Sequence, residues 1–293
     1  MRQSRFSTWV GAVSGALSVL LVFAALGHAS DRQLVTEEFH QVYTLTADGR
    51  IELDNINGPV HITSWDRNEV KVDAVKRAST KERLDEAKIE INSSPSSLSI
   101  RTKYPSHDNG FWNDRHDNPA SVEYTLVVPR RARLDEIKLI NGSLDVQDIA
   151  GEVHASCING RLQARNLSGR TTLGTINGQL DATVNQMSSA PLELSAVNGG
   201  LRLTLPSDAK ADVEANTVSG GIENDFGLHV SGHMVGHSLR GELGGGGTRV
   251  KLTNVNGRIE ILHANDNRPL SPAKSLEKKH SRDDDDDDDD AEI

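Results

Sequence analysis

The chain carries one cysteine, Cys157, among 293 residues. A single thiol excludes an internal disulfide and any Cys-rich zinc or iron–sulfur centre. Aromatic residues are also scarce, at 4%. A core must then be assembled from Val, Ile, Leu and Ala, and thin aliphatic interiors are usual in repetitive β architectures. Basic character is missing as well. The net charge is −10, but residues 283–292 hold nine negative charges, which leaves the remainder near −1. Nothing resembles the basic stripe that tracks nucleic-acid phosphates, so nucleic acid is not an expected partner. Helix signals are few. Only residues 79–91, STKERLDEAKIEI, have helical composition, and they read equally well as a charged strand entry.

What is present starts with a leader. Arg2 and Arg5 precede an uncharged run over residues 6–27 and a small-residue exit, the pattern of a secretory signal cleaved after Ala29. The run is also long enough to span a bilayer uncleaved. Either way the remainder leaves a bacterial-type cytoplasm. No cysteine lies near the exit of the run, which argues against a lipid-anchored lipoprotein.

The body has a beat. Glycine falls at 142, 151, 160, 169 and 178, and Asn-Gly pairs begin at 57, 141, 159, 177, 198 and 256, with Ser219-Gly220 as a variant. Both residue types tolerate the positive φ that tight corners demand. Between corners the sequence alternates apolar and polar, as in GRIELDNING and VEYTLVVP, which is the strand period. A meander of hairpins fits a nine-residue beat. So does a β-solenoid with an 18-residue coil and two corners. The solenoid fits better, because alternate corners differ in kind: Asn-Gly at one, Ala150-Gly151 or Ser168-Gly169 at the other. Two aliphatic ladders frame the Asn-Gly corner. Ile140, Ile158, Ile176, Val197, Val218 and Val255 precede it, and Leu144, Leu162, Leu180, Leu201, Ile222 and Ile259 follow it. Ile56 and Val60 repeat the pattern early. Stacked coils are expected to bury both ladders, with Ser143, Arg161, Gln179 and Arg202 facing water. Spacings of 21, 21 and 37 in the second half place insertions in loops.

Three stretches carry a family resemblance: ARLDEIKLINGSLDVQDIAGEVHASCINGRL, then VNGGLRLTLPSDAKADVEANTVSGGIENDFG, then LRGELGGGGTRVKLTNVNGRIEI. In this order they resemble the DUF4097 family of adhesin-like proteins. The resemblance covers residues 42–264 and is strongest from Val122 onward. It implies an exported, non-enzymatic, single-stranded right-handed β-helix of the envelope or surface, and it carries no catalytic or ligand residues.

Local clusters do not build a site. His229, His233 and His237 recur every four residues, a zinc spacing on a helix, but Gly232 and Gly236 oppose a helix and the segment reads as an exposed loop. The glycines of GELGGGGTR are followed by a strand, not by the helix a phosphate loop needs, so they mark a corner. Residues 104–121 carry Phe111 and Trp112 in a polar break, which reads as a cap or loop before a binding anchor. Asp145 and Asp181 lie two coils apart with Gln163 between them, a solvated face rather than converging acids. Cys157, level with Thr175 and Ala196, reads as packing.

The expected protein is all-β, a single-stranded right-handed β-solenoid with coils of about 18–21 residues. Residues 1–30 form a signal peptide or N-terminal membrane anchor, 31–264 the solenoid, and 265–293 a disordered tail with a poly-Asp run. It is read as a non-enzymatic envelope scaffold or interaction module, with no catalytic, cofactor or metal site. Its partner is an envelope protein or polysaccharide, and it meets a membrane only through an uncleaved N-terminus. The alternatives are a membrane-anchored envelope-stress or signalling accessory protein and a glycan-active β-helix enzyme.

Overall fold

The computed structural model describes residues 34–105, 120–232 and 235–276. The leader, the poly-Asp run and the segment with Phe111 and Trp112 lie outside them. Strand dominates the described chain. Thr80 caps one short helix, Lys81–Glu86, by accepting from Arg83 N, and the strand Lys88–Ser94 follows. The ambiguous segment 79–91 is thus a turn of helix and then a strand.

Two sheets, of ten and twelve strands, form the two sides of the molecule. Each of the four central repeats gives a longer strand to one sheet, turns at Asn-Gly, and gives a shorter strand to the other. Val153–Asn159 and Leu162–Arg165 are one such pair, here called a coil, and Thr171–Asn177 with Leu180–Thr183 is the next. Like strands of neighbouring coils pair in parallel with little slippage: Cys157 opposes Thr175, and Leu162 opposes Leu180. Inward residues of both sheets share one aliphatic core. Leu144, Leu162, Leu180, Leu201 and Ile259 come from one side, and Leu134, Val153, Leu173, Leu194 and Val250 from the other.

The corner explains the beat. Gly199 has φ 139°, and a Cβ there would fall on the carbonyl oxygen of Gly178 in the coil below. Only glycine permits both that backbone and that stacking distance. The amide of each corner glycine donates to the next coil, as Gly160 N does to Asn177 O at 2.9 Å. The opposite corner is of a different kind: Asp148 and Asn166 take positive φ, and Asn166 Nδ2 donates to Asp148 Oδ1 at 2.6 Å.

The coils do not stack throughout in chain order. Counted along the chain, they span residues 50–65, 97–129, 133–147, 153–165, 171–183, 192–206, 211–224 and 248–264. The four from 133 to 206 stack in sequence, but 50–65 lies between 133–147 and 97–129. At the other end 248–264 lies between 192–206 and 211–224. The simple sequential stack expected from the sequence therefore holds only in the middle. Antiparallel strands close the ends, Val35–Thr44 and Glu69–Ala78 at one and His237–Leu243 at the other. Each inserted coil carries a buried asparagine. Asn55 Nδ2 donates to Val122 O at 2.9 Å, and Asn254 Nδ2 donates to Gly199 O at 2.9 Å.

The described chain continues past Ala264, where the sequence reading starts the tail. Ser271 Oγ donates to Ala209 O at 2.7 Å, and Ala273–Ser275 pairs with His237–Leu243. These contacts tie residues 265–276 to the domain.

Candidate docking face

One of the two aliphatic ladders is not inside. Leu144, Leu162, Leu180, Leu201 and Ile259, after the corner, are at most 1% exposed, and Ile222 is 7%. Before the corner, Ile158 is 37% exposed, Ile176 44%, Val197 38%, Val255 37% and Val218 53%. Ile56 and Ile140 are half-buried. The expectation that both ladders are buried is corrected by strand parity. Leu139, Cys157, Thr175 and Ala196 take the inward position, so the residue after each must point out. Four residues are an even step, which in a continuous strand would keep one face. The corner between Ile158 and Leu162 breaks the phase and returns only Leu162 to the core.

The outer face of the longer-stranded sheet is consequently built in rows. The aliphatic row runs in space as Ile56, Ile140, Ile158, Ile176, Val197, Val255, Val218. At ~4.8 Å between strands it is about 29 Å long. On the corner side it is flanked by an amide ladder. Asn159 Nδ2 donates to Asn141 Oδ1 at 2.9 Å, Asn177 to Asn159 at 3.0 Å, Asn198 to Asn177 at 3.0 Å and Asn256 to Asn198 at 2.9 Å. On the other side lies a row of small residues, Ser156, Gly174 and Ser195, continued by Thr253 and Asn216 at one end and by the charged Lys138 and Asp54, level with Ile140 and Ile56, at the other. The result is a ridge beside a trough. Beyond the trough Thr172, Glu193, Lys251 and Glu214 form a polar row, in which Arg240 Nη2 sits 3.0 Å from Glu214.

The opposite sheet presents a charged face. Asp145, Gln163 and Asp181 are in register, as the sequence indicates. Asp145 lies 3.2 Å from His61 Nδ1, Asp181 accepts from Gln179 at 2.8 Å, and Arg202 is bonded to Glu260 at 2.7 Å. Cations and amides separate these carboxylates, which do not converge. Among the described residues no cluster of His, Cys, Asp and Glu is arranged to hold a metal ion. His229 and His237 lie on an antiparallel hairpin rather than in a plain loop, because Val230–Gly232 pairs with His237–Leu243; His233 lies outside the described residues. Burial pushes the Cys157 thiol up to about 11, which leaves it protonated and unreactive as a nucleophile.

Two parallel-stranded sheets sharing one thin core, with like residues stacked at their corners, define a repetitive β scaffold. The chain belongs to the Toastrack DUF4097 family, whose profile matches residues 36–262. Among solved structures it is similar to a candidate cell adhesion protein from Clostridium sporogenes, at 13% identity over 78% of this chain and 100% of that one, with TM-score 0.46. A candidate adhesin from Bacteroides fragilis aligns at 11% identity over 81% and 100% of the two chains, TM-score 0.35. A candidate lipid binding protein from Parabacteroides distasonis aligns at 8% identity over 78% and 96%, TM-score 0.33. A comparison with curated proteins finds no match.

Proposed function

We propose that the protein is an exported, non-enzymatic interaction module of the cell envelope, adhesin-like in role. Its four central coils wind as a right-handed solenoid, and the ridged face engages an envelope protein or polysaccharide. The observation that carries this reading is the row Ile158, Ile176, Val197, Val255 and Val218, held a third to a half exposed on consecutive strands. Scattered exposed aliphatics are ordinary, but a contiguous apolar strip rimmed by polar rows marks an interaction surface. The right-handed winding follows from the chirality of parallel β connections. Export rests on residues 1–30. If the run 6–27 stays uncleaved, the same face works on a membrane-anchored accessory protein, and mapping the N-terminus in membrane fractions separates these two forms. The docking reading is tested by pull-down from intact envelopes with the exported chain and its Ile176→Asp variant. Loss of the captured partner in the variant is expected. Equal capture by both proteins would show that this face is not the docking surface.

A further inference from the structure

The face has a feature that selects its partner. Ridge and trough are parallel neighbours on the same strands: Ile158 stands beside Ser156, Ile176 beside Gly174, Val197 beside Ser195. The trough is low because Gly174 has no side chain; a Cβ there would press on Ser195 Oγ at 3.3 Å. A two-fold axis lying in the face, parallel to the rows and midway between ridge and trough, exchanges the two features. It sets the middle of each ridge into the trough of the other copy, with Ile158 over Ser156, Ile176 over Gly174 and Val197 over Ser195, while Ile140 and Ile56 come over Lys138 and Asp54.

We infer that the partner of this face is a second copy of the same chain, in an isologous dimer whose two ridges seat in each other's troughs. The inference rests on the docking reading above and deepens it. Charge agrees with it. The same axis carries the polar row beyond the trough, His154, Thr172, Glu193 and Lys251, onto the neutral amide ladder of Asn159, Asn177, Asn198 and Asn256. No charge of that row meets a like charge, and amides serve carboxylate and ammonium alike. Area agrees as well. The exposed ridge is on the order of 400 Å² per copy, about half of the ~800 Å² per partner of a standard interface. The trough and the two polar rows lie in position to supply the remainder. Aligned sheets cross at about 30° because each is twisted, so the tightest contact falls at the middle of the row, on Ile158, Ile176 and Val197. These three flank the small residues Ser156, Gly174 and Ser195.

Sedimentation velocity of the exported full chain over a wide micromolar range tests the dimer. The wild-type chain is expected to pass from monomer to dimer with concentration. Ile176→Asp on the ridge and Gly174→Val in the trough should each weaken association by at least about tenfold, with unchanged far-UV circular dichroism and, at dilutions where the wild-type chain is monomeric, a melting temperature close to wild type. Register is tested by mixing a Gly174→Cys chain with an Ile176→Cys chain. The mixed disulfide should form faster than either self-disulfide, because the axis places residue 174 against residue 176. A chain that stays monomeric at every concentration overturns the proposal, as does a dimer indifferent to both variants. A monomer whose Ile176→Asp variant loses envelope capture leaves the docking reading standing with a different partner, whereas undiminished capture beside a dimer that the variants weaken keeps the dimer and removes the envelope partner from this face.

Discussion

Ile158 and Leu162 stand four residues apart on either side of one corner, and their fates are opposite. Leu162 is fully buried between Leu144 and Leu180, while Ile158 is more than a third exposed between Ile140 and Ile176. Both belong to ladders of like residues repeated coil after coil. Stacking of like aliphatics is therefore no evidence of burial in this fold. What decides is whether the residue or its predecessor takes the inward position, and at each corner of the four central coils the predecessor does: Leu139, Cys157, Thr175 and Ala196 are all buried. A ladder on the outside costs exposed apolar surface in every coil, which is why a partner is sought for it.

The comparison breaks most sharply under a charge. Leu162→Asp buries an unpaired carboxylate and is expected to destabilise the domain by about 3–5 kcal/mol. Ile158→Asp places the same charge in water and is expected to cost less than about 1 kcal/mol. Urea titrations of the two variants measure the gap. Similar losses would sink the inward and outward assignment.

The corner itself gives the next largest effect. Gly199 and Gly200 are adjacent, yet a Cβ at 199 falls on the Gly178 carbonyl oxygen with φ at 139°, whereas a Cβ at 200 meets nothing within 4 Å. Gly199→Ala is expected to cost about 2 kcal/mol or more, and Gly200→Ala to be neutral or slightly stabilising. If Gly199→Ala melts like the wild-type chain, close stacking at the corner is not what demands glycine. A smaller effect is expected in the amide ladder. Asn177 bridges Asn159 and Asn198 at 3.0 Å on each side, so Asn177→Ala removes two exposed hydrogen bonds, worth roughly 1 kcal/mol together. A loss as large as that of Leu162→Asp would mean that amides rather than leucines hold the coils in register.

The all-β class, the two kinds of corner and the core leucines were legible because each has a local chemical cause. Asn-Gly marks a positive φ, and strict alternation marks a strand. The face of the pre-corner ladder was not legible from the spacing of Ile158 and Leu162 alone, since the phase break is a property of the corner's geometry. A signal was nevertheless available in the VHASCIN strand: Val153, Ala155 and Cys157 already fill the inward parity and leave Ile158 outside. The order of the coils was harder to read, because the two transposed coils keep the same corner motif as the rest. They differ at one position. Where the sequential coils have Leu139, Cys157, Thr175 or Ala196, the coils inserted out of order have Asn55 and Asn254, and only they read Asn-x-Asn-Gly. In both transposed coils this asparagine donates to a carbonyl of a neighbouring coil, Asn55 to Val122 and Asn254 to Gly199, so this position separates them from the sequential coils.

The smallest expected effect asks whether an exposed polar contact counts as little as the exposed apolar one at Ile158. At the antiparallel end His40 lies opposite Asp73, with Nδ1 2.7 Å from Oδ1, and its Nε2 is 3.3 Å from Glu38. The hydrogen bond to Asp73, then that to Glu38, raises the His40 pKa above its ordinary 6.5. A raised folded-state value contributes stability that is complete below 6.5 and is lost as pH rises through the folded-state value. Asp73 works from the other side. Desolvation opposes its ionisation, but hydrogen bonds from Lys71 and His40 outweigh it and hold the carboxyl below 3.8, so its contribution is complete above 3.8 and fades as pH falls. The pair should therefore help most in the mildly acidic range between these two values. Because the His40 side chain is 57% exposed, solvent screening keeps the effect small. Melting temperatures of the wild-type and His40→Gln chains, compared across pH, should differ slightly in that window and converge toward mildly alkaline pH. A difference that widened with rising pH would reverse the sign and rule out the charged pair as the source.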